Sequence, residues 1–348
     1  MEPPRAGGKT ERGGRGRRAS SPVYAAIDLG TNNCRMLMAR ARDDGFRVIG
    51  AFSRIVRLGE GLGARGRLSE PAMERAIAAL GVCAGKARRR GVTRLRSVAT
   101  EACRRAANCD EFLDRAVAET GIALEIIPAR EEARLALAGC LPLIDHDARR
   151  ALVFDVGGGS TEIVWLRCAD AAPPEVIAST SLPCGVVTLA EAYGGDRVSR
   201  AVYDDMIAYV GGLLAAFDAA HGIARAVAGN GVQMLGTSGT VTTMVGVHLD
   251  LPRYDRARVD GLRLAFDDVA RVSCRLLALD CAGRAAIPTV GPERADLVIA
   301  GCAILAAIRR IWPVGSLRVA DRGVREGMLL DMIRADAGET SAPLRFPA

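Results

Sequence analysis

The sequence predicts an α/β protein built from two similar domains, and three observations predict it. A short apolar strand that ends in Asp-x-Gly and a polar turn occurs twice. The copies are Ile27-Asp28-Leu29-Gly30-Thr31-Asn32 and Phe154-Asp155-Val156-Gly157-Gly158-Gly159, 127 residues apart. Each copy opens a stretch in which strand and helix patterns alternate. The 348 residues, about half of them apolar, suffice for two cores at roughly 100–200 residues per domain.

Residues 1–22 are rich in Gly, Arg and Pro, lack an apolar period and are expected to form a disordered basic tail. Order is expected from Tyr24. Tyr24–Asp28, Cys34–Ala39 and Phe46–Arg54 read as a β-meander. Ser69-Glu70-Pro71 has the N-cap serine and early proline of a helix start, and that helix runs to about Arg90. Arg94–Ala99 and Leu124–Ile127 read as strands, Asp110–Thr120 and Ala129–Leu141 as helices. This first domain spans 23–145, and the polar segment Asp145–Arg150 is a joint. The second domain, 146–322, opens with strands Ala151–Asp155 and Glu162–Arg167 around the turn Gly157–Ser160. Helices follow at about Ser199–Ala220, Thr240–Leu249, Asp267–Ala278 and Pro292–Ile311, with a strand at Ser316–Ala320. A last helix, about 323–335, is expected to pack back on the first domain.

Composition excludes several functions. There are 47 basic and 40 acidic residues, a net charge of +7. The tail alone contributes +4 (six basic, two acidic), which leaves about +3 for the body, too little for a duplex-DNA footprint. Only 4% of residues are aromatic, which argues against a stacking surface for single strands. Ten cysteines lie singly with no CxxC pair, as in a cytoplasmic protein with reduced thiols, and three histidines cannot build a His-rich metal site. No apolar run is long enough to span a membrane.

The chemistry is expected at the glycine turns. Glycine lets the backbone approach a ligand, and consecutive N–H groups form an anion-binding concavity. Gly30, Thr31 and Asn32 in the first turn, and Gly157, Gly158, Gly159, Ser160 and Thr161 in the second, supply donors for phosphate oxygens. Asp28 and Asp155 would repel an anion, so they make sense with a cation between carboxylate and phosphate; Mg²⁺ suits that arrangement. A third turn, Leu235-Gly236-Thr237-Ser238-Gly239-Thr240, leads into a helix whose N-terminus would offer further amides, at Gly236, Ser238 and Gly239.

These three loops in this order resemble the phosphate-binding signature of the actin-like ATPase superfamily. Ser97-Val98-Ala99-Thr100-Glu101-Ala102-Cys103-Arg104 with Asn108, Glu125-Ile126-Ile127-Pro128-Ala129-Arg130-Glu131-Glu132-Ala133-Arg134, Gly291-Pro292-Glu293-Arg294-Ala295-Asp296 and Asp321-Arg322-Gly323-Val324-Arg325-Glu326-Gly327 narrow the match. They resemble the exopolyphosphatase / guanosine pentaphosphate phosphatase family. The resemblance implies two actin-like (ribonuclease-H-like) domains with the active site in the interdomain cleft. It implies removal of the terminal phosphoryl group of a phosphoanhydride chain, with polyphosphate or pppGpp as the substrate and a homodimer as a partner arrangement. It implies Glu132 acting on the attacking water, Arg104 binding phosphate, Asp155 and Glu162 linked to Mg²⁺, and K⁺ as an activator. Glu131 should point about 100° away from Glu132 on the same helix. Cys34-Arg35 after the first loop departs from the family pattern.

Overall fold

The computed structural model describes residues 22–338 apart from 44, 170, 171 and 230, together with Leu344 and Phe346. The expected tail lies outside the described residues. Among the described residues eleven strands form two sheets: β1 (Val23–Leu29), β2 (Asn33–Arg42), β3 (Gly45–Ile55), β4 (Arg94–Ala99) and β5 (Glu125–Ile126) in the first, and β6 (Arg150–Val156), β7 (Thr161–Ala169), β8 (Ala172–Leu182), β9 (Val232–Thr237), β10 (Arg263–Ala265) and β11 (Ser316–Ala320) in the second. The first sheet has the order β3-β2-β1-β4-β5 and the second β10-β11-β9-β6-β7-β8. In each, an antiparallel meander (β1-β2-β3, β6-β7-β8) is extended by parallel strands beside its first member. This is the two-unit actin-like α/β architecture, with β10 added at one edge.

Both faces of each sheet are covered, and period-two alternation decides which residue goes where. In β1, Ala25, Ile27 and Leu29 enter one core, while Tyr24 and Ala26 enter another on the opposite face. In β6, Leu152, Phe154 and Val156 face the largest core, and Ala151 and Val153 face the other side. The helix Ala129–Cys140 serves both units. Ala133, Leu137 and Cys140 pack under the second sheet, whereas Leu135 and Ala136 pack under the first. The helix Val324–Asp336 crosses it at near backbone contact: a Cβ on Gly139 would lie 2.3 Å from the Gly323 carbonyl oxygen, and one on Gly327 would lie 2.2 Å from that of Leu135. Val324, Met328 and Leu329 of this helix belong to the core under the first sheet.

Three expectations need correction. The second meander has a third strand, β8, whose Pro-Pro start and Ser/Thr-rich end hide any alternation; proline is tolerated there because the strand is at an edge. The helix expected from Pro292 begins at Val298, after a run of turns, and ten of its fourteen residues are buried in the second core. Leu235, Gly236 and Thr237 belong to strand β9 and not to the third turn. All ten cysteines are free, seven of them buried. Among the described residues no helix is long and apolar enough to cross a membrane.

Candidate active site

In an open α/β sheet, ligands bind beyond the carboxyl ends of the parallel strands. Here β1, β4, β6 and β9 all end at one cavity of about 100 Å³ between the two sheets, at Gly30, Thr100, Gly157 and Ser238. The two meanders deliver matching hairpins. Gly30 N donates to Asn33 O at 2.9 Å, and Gly157 N donates to Ser160 O at 2.9 Å. The hairpins touch: a Cβ on Gly158 would lie 3.0 Å from Thr31 Cβ and 3.1 Å from Asn32 N, and one on Gly159 would lie 2.8 Å from Thr31 Oγ1. Glycine is required here by close approach, since no larger residue fits. The carbonyl oxygens of Gly157 and Gly158 accept from Val186 N and Val187 N at the start of the helix Val186–Tyr193. Among the described residues the backbone N–H groups of Thr31, Asn32, Gly158 and Gly159 donate to no protein acceptor.

The third loop contributes Ser238 and Gly239 from the N-terminus of the helix Gly239–His248. Ser238 holds φ of 111°, unusual for a residue with a side chain, and its hydroxyl accepts from Thr240 N at 3.2 Å. Thr240 and Thr243 of the same helix also line the cavity.

Glu132 stands in the first turn of the helix shared by both units, and its side chain reaches the cavity. Arg104 Nη1 donates to Glu132 Oε2 at 2.8 Å and to Ile127 O at 2.8 Å, while Nε and Nη2 donate to Glu101 Oε2 at 3.1 and 2.9 Å. Burial pushes the Glu132 carboxyl well above the usual carboxylate range; the negative charge of Glu162 adds to this and Arg104 opposes it. Glu131 turns away to Arg134 at 2.7 Å and Arg96 at 3.2 Å.

Asp28 and Asp155 line the cavity from opposite units. Burial raises both carboxyls, Asp155 to about 6, and the charge of Asp28 adds to the rise at Asp155. Arg35 and Arg325 counteract burial at both.

Four residues expected in the site stand behind it. Gly236 makes room for a ring: a Cβ there would lie 2.6 Å from Phe154 Cζ. Thr161 donates its hydroxyl to Cys184 O at 2.7 Å and closes the base of the hairpin. Arg104 does not line the cavity; two carboxylates and a carbonyl hold its guanidinium. Glu162 accepts from Ser181 Oγ at 2.8 Å in a buried position, and burial, then Asp155, raises it to about 7. Among the described residues no three His, Cys, Asp or Glu side chains could together hold a metal ion. The expected trio of Asp28, Asp155 and Glu162 is therefore not a protein-only cage. Asp28 and Asp155 alone fit a cation that takes its other ligands from phosphate oxygens and water, because a cation between them would relieve the cost of ionising both.

Sequence reasoning left Arg35 and Arg294 without a role, and both line the cavity. Burial lowers the Arg294 guanidinium pKa, and the charge of Arg35 beside it lowers it further. Among the described residues neither arginine makes an ion pair at salt-bridge distance, and Arg35 instead acts through its charge on Asp28 and Asp155. The internal repeat held a signal for Arg35. Asp28 pairs with Arg35 in register as Asp155 pairs with Glu162, so both positions flank a loop. Glu101 was also passed over; it lines the cavity and holds Arg104.

The family model for Ppx/GppA phosphatases matches residues 37–336. The chain belongs to the Ppx/GppA phosphatase family. It is 32% identical over 318 residues to the guanosine-5'-triphosphate,3'-diphosphate pyrophosphatase of Photobacterium profundum, covering 90% of this chain. The chain spans about 60% of the length of that curated relative. Among solved Ppx/GppA-like structures, an exopolyphosphatase-like protein is 31% identical with a TM-score of 0.80, over 89% of this chain and 97% of that one. The Aquifex aeolicus PPX-GPPA enzyme is 28% identical with a TM-score of 0.72, over 89% and 99%. An exopolyphosphatase from Cytophaga hutchinsonii, 23% identical with a TM-score of 0.80 over 90% and 98%, shares the fold.

Proposed function

We propose that this Ppx/GppA family member is an exopolyphosphatase: it hydrolyses the terminal phosphoanhydride of inorganic polyphosphate and releases orthophosphate. One observation carries the reading. The Glu132 carboxylate opens into the same cavity as two touching glycine hairpins whose amides have no protein acceptor. Free amides from both units, with Arg35 and Arg294, would hold the terminal phosphoryl group. Glu132, kept in place by Arg104, would orient a water in line with phosphorus and accept its proton as the bond to phosphorus forms. Its raised pKa makes it a stronger base than a solvent-exposed glutamate. Asp28 and Asp155 would hold Mg²⁺, which when bound offsets charge on the phosphoryl oxygens and on the leaving phosphate. Amides and guanidiniums fixed before the reaction would stabilise the dispersed negative charge of the transition state.

Hydrolysis of pppGpp at its 5′ end is the second reading. It is favoured by the name of the Photobacterium relative and by an apolar stretch of cavity wall, Val186, Leu297, Val298 and Val324, for which polyphosphate has no use. Initial rates of orthophosphate release by the purified chain with Mg²⁺ discriminate the two. A higher kcat/KM is expected on long-chain polyphosphate than on pppGpp. The reverse order selects the second reading, and release from neither rejects both.

A further inference from the structure

The segment Val56–Gly61 runs from the end of β3 across the mouth of the cleft, and two sets of contacts meet in it. On one side it is bonded to the first glycine hairpin. Val56 N and Arg57 N donate to Asn32 O at 2.9 and 3.1 Å, and Gly59 N donates to Thr31 O at 2.9 Å. Gly59 lies so close that a Cβ would come within 2.3 Å of Thr31 Cγ2. On the other side the segment grips the second unit. Arg57 donates to both carboxylate oxygens of Asp296 at 2.8 and 2.9 Å and to Glu293 O at 3.1 Å. Gly61 N donates to Glu191 Oε1 at 2.7 Å.

Three features show that the segment is built to hold this shape. Arg57 has φ of 47°, a left-handed conformation that an arginine adopts at a cost. Arg75 braces it from behind, with Nε donating to Val56 O at 2.8 Å and Nη2 to Arg57 O at 3.3 Å. The partner Asp296 is two residues from Arg294 and next to Leu297, both of which line the cavity. One bidentate pair thus ties the Thr31-Asn32 turn of one unit to the Arg294 segment of the other.

We propose that Arg57 is a positioning residue: by clasping Asp296 across the cleft it holds the closed arrangement in which the two jaws of the phosphate site face each other. The inference rests on the function proposed above and deepens it. Arg57 does not line the reaction cavity; with Asp296 and Glu191 it lines an adjoining hollow of about 230 Å³ that shares Asn32 and Leu297 with it. When the closed form is the binding-competent one, loss of the clasp lowers its population. Apparent affinity then falls in proportion, whereas turnover of the saturated enzyme is kept.

The test uses the full chain with Mg²⁺ and inorganic tripolyphosphate. Arg57→Ala is expected to raise KM about tenfold, within the range of such couplings, with kcat within about twofold of wild type. Arg57→Lys should fall between, because lysine cannot make the bidentate pair. The double variant Arg57→Asp with Asp296→Arg should recover part of the loss. An unchanged KM in Arg57→Ala overturns the proposal, as does an equal fall in kcat together with the melting temperature. A second measurement does not depend on activity. Hydrogen exchange at the Arg57 and Gly59 amides should be at least about fivefold faster in Arg57→Ala and in the milder Asp296→Asn, and unchanged exchange overturns the clasp. A wild-type chain that exchanges as expected but releases no orthophosphate would sink the proposed activity and leave the clasp standing.

Discussion

The residues that matter most are carboxylates held where water would not hold them. Asp28, Asp155, Glu132 and Glu162 all have raised pKa values, and burial is the first cause at each. A carboxyl raised in the folded state binds more protons there than in the unfolded chain. Their contribution to stability is therefore greatest at low pH and is lost as pH rises through the window between the two values. For Asp155 the window runs from 3.8 to about 6, an effect on the order of 2–3 kcal/mol. In the absence of divalent cations, the urea midpoint is expected to fall between pH 4 and pH 7. Asp155→Asn should flatten that fall, and an identical slope in the variant would show that Asp155 is not under this strain. Asp28 and Asp155 stood out in the sequence because each precedes a glycine turn and the device is repeated. Glu132 did not stand out by chemistry, since Glu-Glu beside arginines reads as a solvated helix face; only the family resemblance singled it out. Arg294 was hidden because an arginine in an arginine-rich chain carries no signal until its neighbours in space are known, whereas the repeat places Arg35 opposite Asp28.

At the scale of elements, the opening strand of each meander is legible in the sequence, because residues 23–27 and 151–154 are uninterrupted apolar runs buried on both faces. The third turn begins three residues later than the sequence suggests. Gly236 looked like part of a phosphate loop, yet it lies within β9 and accommodates the ring of Phe154. Local sequence cannot separate these roles, since a glycine that admits a ligand and one that admits a neighbouring side chain look alike. The distinction is measurable. Gly236→Ala is expected to cost about 1–3 kcal/mol of stability by overpacking, read as a lower urea midpoint, with KM unaltered. A raised KM at full stability would return Gly236 to the phosphate site. The helix Ala129–Cys140 shows the opposite case: its bounds were read to within one residue, but its place between two sheets, which gives Glu132 its reach, depends on Gly139 and Gly327 meeting another helix.

At the scale of the molecule, two units with the same strand order present their loops to one cavity, and neither unit holds a complete site. The first supplies Asp28, Thr31, Asn32, Arg35, Glu101 and Glu132; the second supplies Asp155, Gly158, Gly159, Ser238 and Arg294. The cavity, about 100 Å³, is well below the roughly 300–1,000 Å³ of sites that enclose a whole small ligand. It suits the end of a phosphate chain. The central claim is that a carboxylate on the shared helix directs water onto a phosphoryl group gripped by both hairpins. Orthophosphate release by Glu132→Gln, measured with polyphosphate and Mg²⁺ beside an equilibrium binding assay, tests it most directly. A fall in kcat of about 10²–10⁴-fold is expected, with polyphosphate still bound; release at the wild-type rate would show that Glu132 does not direct the water.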